Sequence, residues 1–213
     1  MILIRKVLLA LMLIPAALLC AQELKPVALP APQTTGGKPL MEVLKARQST
    51  RAFTDRKLEP QVLSNLLWAA WGINRADGRR TAPSASNRQE MTIYVVMAEA
   101  AYQWDAVTNA LNPVAPGDLR AATGTQEWVA QAPLNLVYVA DFSKFKGSDD
   151  DGKNATANAD TGFISQNVYL FCASEGLGTV VRGSTDRVAL AKALNLRPEQ
   201  RVILAQTVGY PKN

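Results

Sequence analysis

Apolar and polar positions alternate along this chain with two different periods. Leu40, Val43 and Leu44 recur at helical spacing and predict a short helix to about Lys45. Residues 47–53 lose that period and read as extended. Glu59-Pro60 opens a second helix, whose apolar face carries Val62, Leu63, Leu66, Leu67 and Ala70. Met91–Met97 and Leu134–Ala140 are dense in β-branched and aromatic residues and read as strands. Tyr102–Leu111 fits either a short strand pair with a turn or a loop, and helical signals return over 118–131. Residues 149–154 read as a solvated loop. They lack the later glutamate of a calcium loop, since Asp160 stands in its place. The longest helix is expected over 156–175, apolar on nearly all sides and ended by Gly176. A helix over 186–194 and a strand over 201–208 follow. Helices and strands interleave without the regular alternation of a doubly wound sheet, which predicts an α+β domain.

Two N-terminal segments depart from this patterning. Arg5 and Lys6 precede an apolar run from Val7 to Cys20, the layout of a secretory leader over residues 1–21. The run is shorter than the ~20 residues of a membrane-spanning helix. It predicts an exported, periplasmic protein with no transmembrane segment after cleavage. A lipid anchor on Cys20 is the weaker alternative, because Leu19 precedes the cysteine where that processing wants a small residue. Residues 22–39 hold Pro26, Pro30, Pro32, Pro39 and Gly36-Gly37 and read as an extended or disordered linker. Residues 40–213 then form one domain.

Composition narrows the chemistry. The chain has no histidine among its 213 residues, so His-based triads and His metal sites are excluded, and no metal site is expected. Of its 2 cysteines only Cys172 would survive processing, which leaves no intramolecular disulfide. The net charge of +5 comes with no basic run carrying interleaved aromatics, so nucleic acid is not an expected partner. Redox chemistry in such a chain has to be carried by a bound cofactor.

Three clusters could hold one. Arg47, Ser49 and Arg51 alternate, and residues two apart on an extended segment share a face, so two guanidinium forks and a hydroxyl converge. The same pattern also fits a solvated basic segment. Pro83, Ser84, Asn87, Arg88 and Gln89 form a small-residue loop with donors for a heterocycle edge, or an ordinary polar turn. Gly176, Gly178 and Gly183 are not a dinucleotide fingerprint, because they follow a helix instead of opening one.

Taken in order, Arg47-x-Ser49-x-Arg51, Pro83-Ser84-Ala85-x-Asn87-x-Gln89, Glu175-Gly176-Leu177-Gly178 through Gly183, and Val208-Gly209-Tyr210-Pro211 resemble the FMN-dependent nitroreductase family. Residues 67–75 and 80–85 are most similar to its thiazole- and oxazole-forming dehydrogenase branch. The resemblance implies a three-layer α+β fold with a central, mainly antiparallel sheet flanked by helices. It also implies a homodimer with FMN at the interface. Arg47, Ser49 and Arg51 would hold the phosphate, with Lys212 as a further contact. Pro83, Ser84, Asn87 and Gln89 would line the ring and ribityl chain, and the backbone at Arg182 and Gly183 would meet the flavin N5 edge. Arg88 or Arg182 would stabilise an anionic reduced flavin. No catalytic side chain stands out. The expected reaction is ping-pong hydride transfer, from NAD(P)H as the possible donor, to a nitroaromatic, quinone or other conjugated small-molecule acceptor. The alternatives are a flavin-binding protein without turnover and a dehydrogenase acting on a heterocycle or peptide.

Overall fold

The computed structural model describes residues 24–147 and 149–212, so the leader over 1–21 and Cys20 lie outside the described residues. Seven strands form one sheet: β1 (Val27–Ala28), β2 (Met91–Val96), β3 (Ala100–Asp105), β4 (Ala110–Pro116), β5 (Leu134–Asp141), β6 (Gly178–Arg182) and β7 (Gln200–Gly209). Their order is β1-β4-β3-β2-β5-β7-β6, and every neighbouring pair is antiparallel. Four helices accompany them: α1 (Leu40–Ala46), α2 (Pro60–Trp71), α3 (Asp150–Glu175) and α4 (Arg187–Ala193).

The central strands alternate with period two, but both of their faces are apolar. Met91, Ile93 and Val95 of β2 and Leu134, Leu136 and Tyr138 of β5 join the core beneath α2 and α3. Tyr94, Val96, Val137 and Val139 point the other way, against Leu190 and Leu194 at α4. Helices on both faces of an antiparallel sheet make the expected three-layer α+β arrangement.

Three readings are sharpened. Residues 100–116 are a strand pair, not a loop, turned at Asn109 with φ 50°. Pro113 and Pro116 are accommodated because β4 lies beside only the two-residue β1 at the sheet edge. The helical signals over 118–131 become two single 3₁₀ turns, Arg120–Thr123 and Glu127–Ala130, with Gly124 between them. α3 starts at Asp150 and not at 156: Asp149 caps it by accepting from the Gly152 N–H at 2.8 Å, and Asp150 and Asp151 favour the positive end of its dipole. Only one stripe of α3, through Ala157, Thr161, Ile164, Val168 and Cys172, is buried, and Phe163 is 48% exposed.

The linker expectation is corrected for residues 24–39, which are docked. β1 pairs with β4, Leu24 and Leu29 pack on the core, and Pro30 accepts from Ser64 Oγ at 2.6 Å and Asn109 Nδ2 at 2.7 Å. The Lys38 N–H reaches Ser174 Oγ at 3.0 Å. Prolines removed helical and ladder periodicity from this segment, but polar side chains of α2 satisfy its carbonyls instead.

Candidate functional site

The segment 47–54 leaves α1 and runs as an irregular extra strand along the edge of β6. The Thr50 N–H donates to Thr179 O at 3.0 Å, and Phe53 bridges Pro211. The Lys212 N–H donates to Ala52 O at 3.0 Å. The extended reading of Arg47, Ser49 and Arg51 therefore holds, and the structure lays them along the β6 edge of the sheet, with Lys212 beyond the Gly178 end of that strand and Arg182 and Gly183 at its other end. Gly178 permits the approach: a Cβ there would lie 2.7 Å from Thr50 Cγ2.

Tyr169 of α3 organises this end. Its hydroxyl lies 3.0 Å from Ser49 Oγ and accepts the Val181 N–H at 3.0 Å, while its ring supports the Arg47 guanidinium at 5.3 Å. Among the described residues no carboxylate lies within ion-pair distance of Arg47 or Arg51. Arg51 and Ser49 are exposed and Arg47 is half-buried. Two cations without counter-ions beside a hydroxyl fit a phosphate dianion.

Arg182 has a different place from the one its charge suggested. Its side chain is 6% exposed and turns away from the edge of β6 into the layer beneath the 3₁₀ turns. Nη1 donates to Thr123 O at 2.6 Å, and Nη2 donates to Asn135 Oδ1 at 2.8 Å and Thr207 Oγ1 at 2.9 Å. Trp128 lies 5.6 Å from it, and burial lowers its pKa to about 10. Only the backbone of Arg182 and the exposed Gly183 remain for a ligand.

The loop 83–89 meets α3 nearer its N-terminus, where Asp160 Oδ2 accepts the Ala85 N–H at 3.0 Å. Asp160 and Tyr169 are nine residues apart, about 14 Å along the helix axis. Ser86, Asn87 and Gln89 all have φ between 50° and 55°, a left-handed conformation that costs on the order of 1 kcal/mol or more for each side-chain-bearing residue. Ser84 Oγ accepts the Gln89 N–H at 3.0 Å and Lys144 Nζ donates to Gln89 O at 2.6 Å, which ties the loop down. The Gln89 side chain is engaged within the protein: it accepts from Arg80 Nε at 2.8 Å and donates to Gly78 O at 3.1 Å and Asn87 Oδ1 at 3.1 Å. Pro83 and Asn87 are exposed and Ser84 half-buried, so these three can face a ligand. Arg88 lies over Phe145 at 5.3 Å.

Tyr169, Glu90, Asp160 and Lys144 are residues of this region that the sequence motifs do not pick out. A carboxyl residue, Asp160, within an apolar helix stripe and a polar-tipped Tyr169 in the same helix were the available signals. Cys172 is buried, and burial pushes its thiol up, as an inert core cysteine requires.

The cavity behind residues 46–50, about 180 Å³, is lined by Thr50, Tyr169, Cys172 and Thr179 and falls below the roughly 300–1,000 Å³ of ordinary ligand pockets. The cationic segment and the 83–89 loop instead face outwards, on an open surface.

An antiparallel α+β sheet with unpaired arginines along one edge and a strained polar loop at α3 offers exposed donors for an anionic ligand. The model of the nitroreductase family matches residues 44–210, and the chain belongs to that family. A protein of Methanocaldococcus jannaschii assigned to the nitroreductases is 30% identical over 155 residues, covering 68% of this chain and 78% of that one. A crystal structure from Ralstonia eutropha JMP134, also assigned as a nitroreductase, matches with a TM-score of 0.84 at 40% identity, covering 88% and 90% of the two chains. A protein of Staphylococcus epidermidis assigned as an NAD(P)H:FMN oxidoreductase shares the fold, with a TM-score of 0.64 at 16% identity over 86% and 92%. Among the described residues no helix is long and apolar enough to cross a membrane.

Proposed function

We propose that this protein is an FMN-dependent oxidoreductase that passes a hydride by a ping-pong cycle to a nitroaromatic, quinone or other conjugated acceptor. The observation that carries the reading is the pair of unneutralised guanidinium groups, Arg47 supported on Tyr169 and Arg51 exposed, either side of Ser49 on one extended segment. FMN, when bound, supplies a ring that takes up a hydride at N5 and releases it to an acceptor in the same place. Arg47, Ser49 and Arg51 bind its phosphate. Pro83, Ser84 and Asn87 line the ring or the ribityl chain, and the backbone of Arg182 and Gly183 orients the N5 edge. Lys212, exposed beside Ala52, adds a cation to the phosphate end. NAD(P)H is the donor in this reading.

A homodimer belongs to the same proposal. The clusters face open surface, and the neighbouring helices carry exposed apolar side chains: Leu40 at 60%, Met41 at 75% and Leu44 at 45% on α1, and Phe163 at 48% on α3. A second copy laid on that face would cover them and enclose the ligand. The basic n-region and apolar run of residues 1–21 support export to the periplasm.

The purified protein is expected to be yellow, bleach under a reductant and regain colour with a quinone or nitro compound. Arg47→Ala with Arg51→Ala removes two charge-assisted contacts of about 1.5–3 kcal/mol each, which weakens FMN binding roughly a hundred- to ten-thousand-fold. Stoichiometric FMN in the double variant would exclude this phosphate assignment, and a colourless protein that takes up no FMN would exclude the function.

A further inference from the structure

Glu90 ends the 83–89 loop and precedes β2, with its side chain wholly buried. Neither of its carboxyl oxygens makes a well-formed hydrogen bond with another described residue's N–H or hydroxyl. The polar group that its side chain meets is the carboxyl of Asp160 on α3, itself 3% exposed. Two ionised carboxylates are both acceptors only, so contact between them requires a proton shared by the pair. The same Asp160 accepts the Ala85 N–H in the middle of the loop, directly before the left-handed Ser86 and Asn87 and four residues before the left-handed Gln89. One shared proton thus lies between the start of β2, α3 and a strained segment that needs to be held.

We infer that Glu90 and Asp160 are positioning residues, and that a proton held between their carboxyls keeps loop 83–89 in its left-handed, ligand-ready conformation. Its effect on a cofactor rests on the reading of this loop as part of the flavin site; the proton pair itself does not.

Burial, and then the Asp160 carboxyl, raise the Glu90 pKa from its ordinary 4.5 to about 7. The Glu90 backbone N–H, and after it Arg88 on the loop itself, act in the opposite sense. From the other elements packed here, Lys144 is engaged with Gln89 O, and Asp141, whose N–H donates to Glu90 O, is paired with Arg197 at 2.5 Å. The folded-state value lies above the unfolded one. The pair's contribution is therefore complete below about 4.5 and is lost as the pH rises through about 7.

Hydrogen exchange of the peptide spanning 83–90 in the full chain, corrected for intrinsic exchange, tests this between pH 5.5 and 8.5. Protection of the loop in the wild type should fall about tenfold or more across pH 7. Glu90→Gln, which offers Asp160 a permanent hydrogen, should keep the protection flat, and Asp160→Asn should do so from the opposite side. A flat wild-type profile, or an unchanged fall in both variants, would overturn the inference. FMN titrated at pH 6 and 8.5 should bind more weakly at the higher pH in the wild type only. Protection that falls with pH in a protein taking up no FMN would support the pair while removing the flavin reading.

Discussion

Replacing Arg182 by methionine keeps most of the buried stem and removes a guanidinium that has no counter-ion among the described residues. Three hydrogen bonds are lost, to Thr123 O, Asn135 Oδ1 and Thr207 Oγ1. Bonds from a charged donor contribute about 1.5–3 kcal/mol each, so the gross loss is roughly 4–9 kcal/mol. Against it stands the cost of burying the charge, which the fall in pKa to about 10 puts at roughly 3 kcal/mol. Two acceptors keep other donors: Thr185 Oγ1 reaches Thr123 O at 3.1 Å, and Thr207 Oγ1 reaches Asn135 Oδ1 at 2.6 Å. These set the outcome near the lower end, a net destabilisation of about 2 kcal/mol. In a domain of this size that lowers Tm by roughly 4–8 °C. Thermal melts followed by circular dichroism, with urea titration as a second measure, give the value. Arg182→Lys should not restore it, since one ammonium cannot span acceptors set out for a planar fork. A Tm unchanged within about 1 °C would refute the claim that these bonds outweigh the burial cost.

Two further substitutions probe the edge of β6. Gly178→Ala places a Cβ against Thr50 and should push the cationic segment off Thr179 O, with a stability loss of about 1–3 kcal/mol read by melts and weaker FMN uptake read by titration. Tyr169→Phe leaves the Val181 N–H and Ser49 Oγ without their shared partner and should cost about 1–3 kcal/mol in a urea titration. Its ring still supports Arg47, so FMN affinity should change less than in the Arg47 and Arg51 double variant.

Period and chemistry along the chain sufficed for α2, β2, β5 and β7, because each buries a long apolar pattern that only one local geometry can present to a core. They also sufficed for the extended Arg47-x-Ser49-x-Arg51 face, since alternation depends on the backbone alone. Residues 24–39 escaped such reading: their prolines and glycines carry no period, and their docking depends on Ser64, Asn65 and Asn109, distant in sequence. The same holds for the buried side chain of Arg182 and the Glu90–Asp160 pair. A charge is placed by whichever partners the fold brings to it, and the partners of Arg182 come from residues 123, 135 and 207. The sequence by itself determined the α+β class and which cations share one extended face, and its family resemblance implied the three layers. Only the tertiary structure decided which arginine is free, which is buried, and where a single proton has to sit, because desolvation and partner geometry are properties of packed neighbours and not of any local pattern.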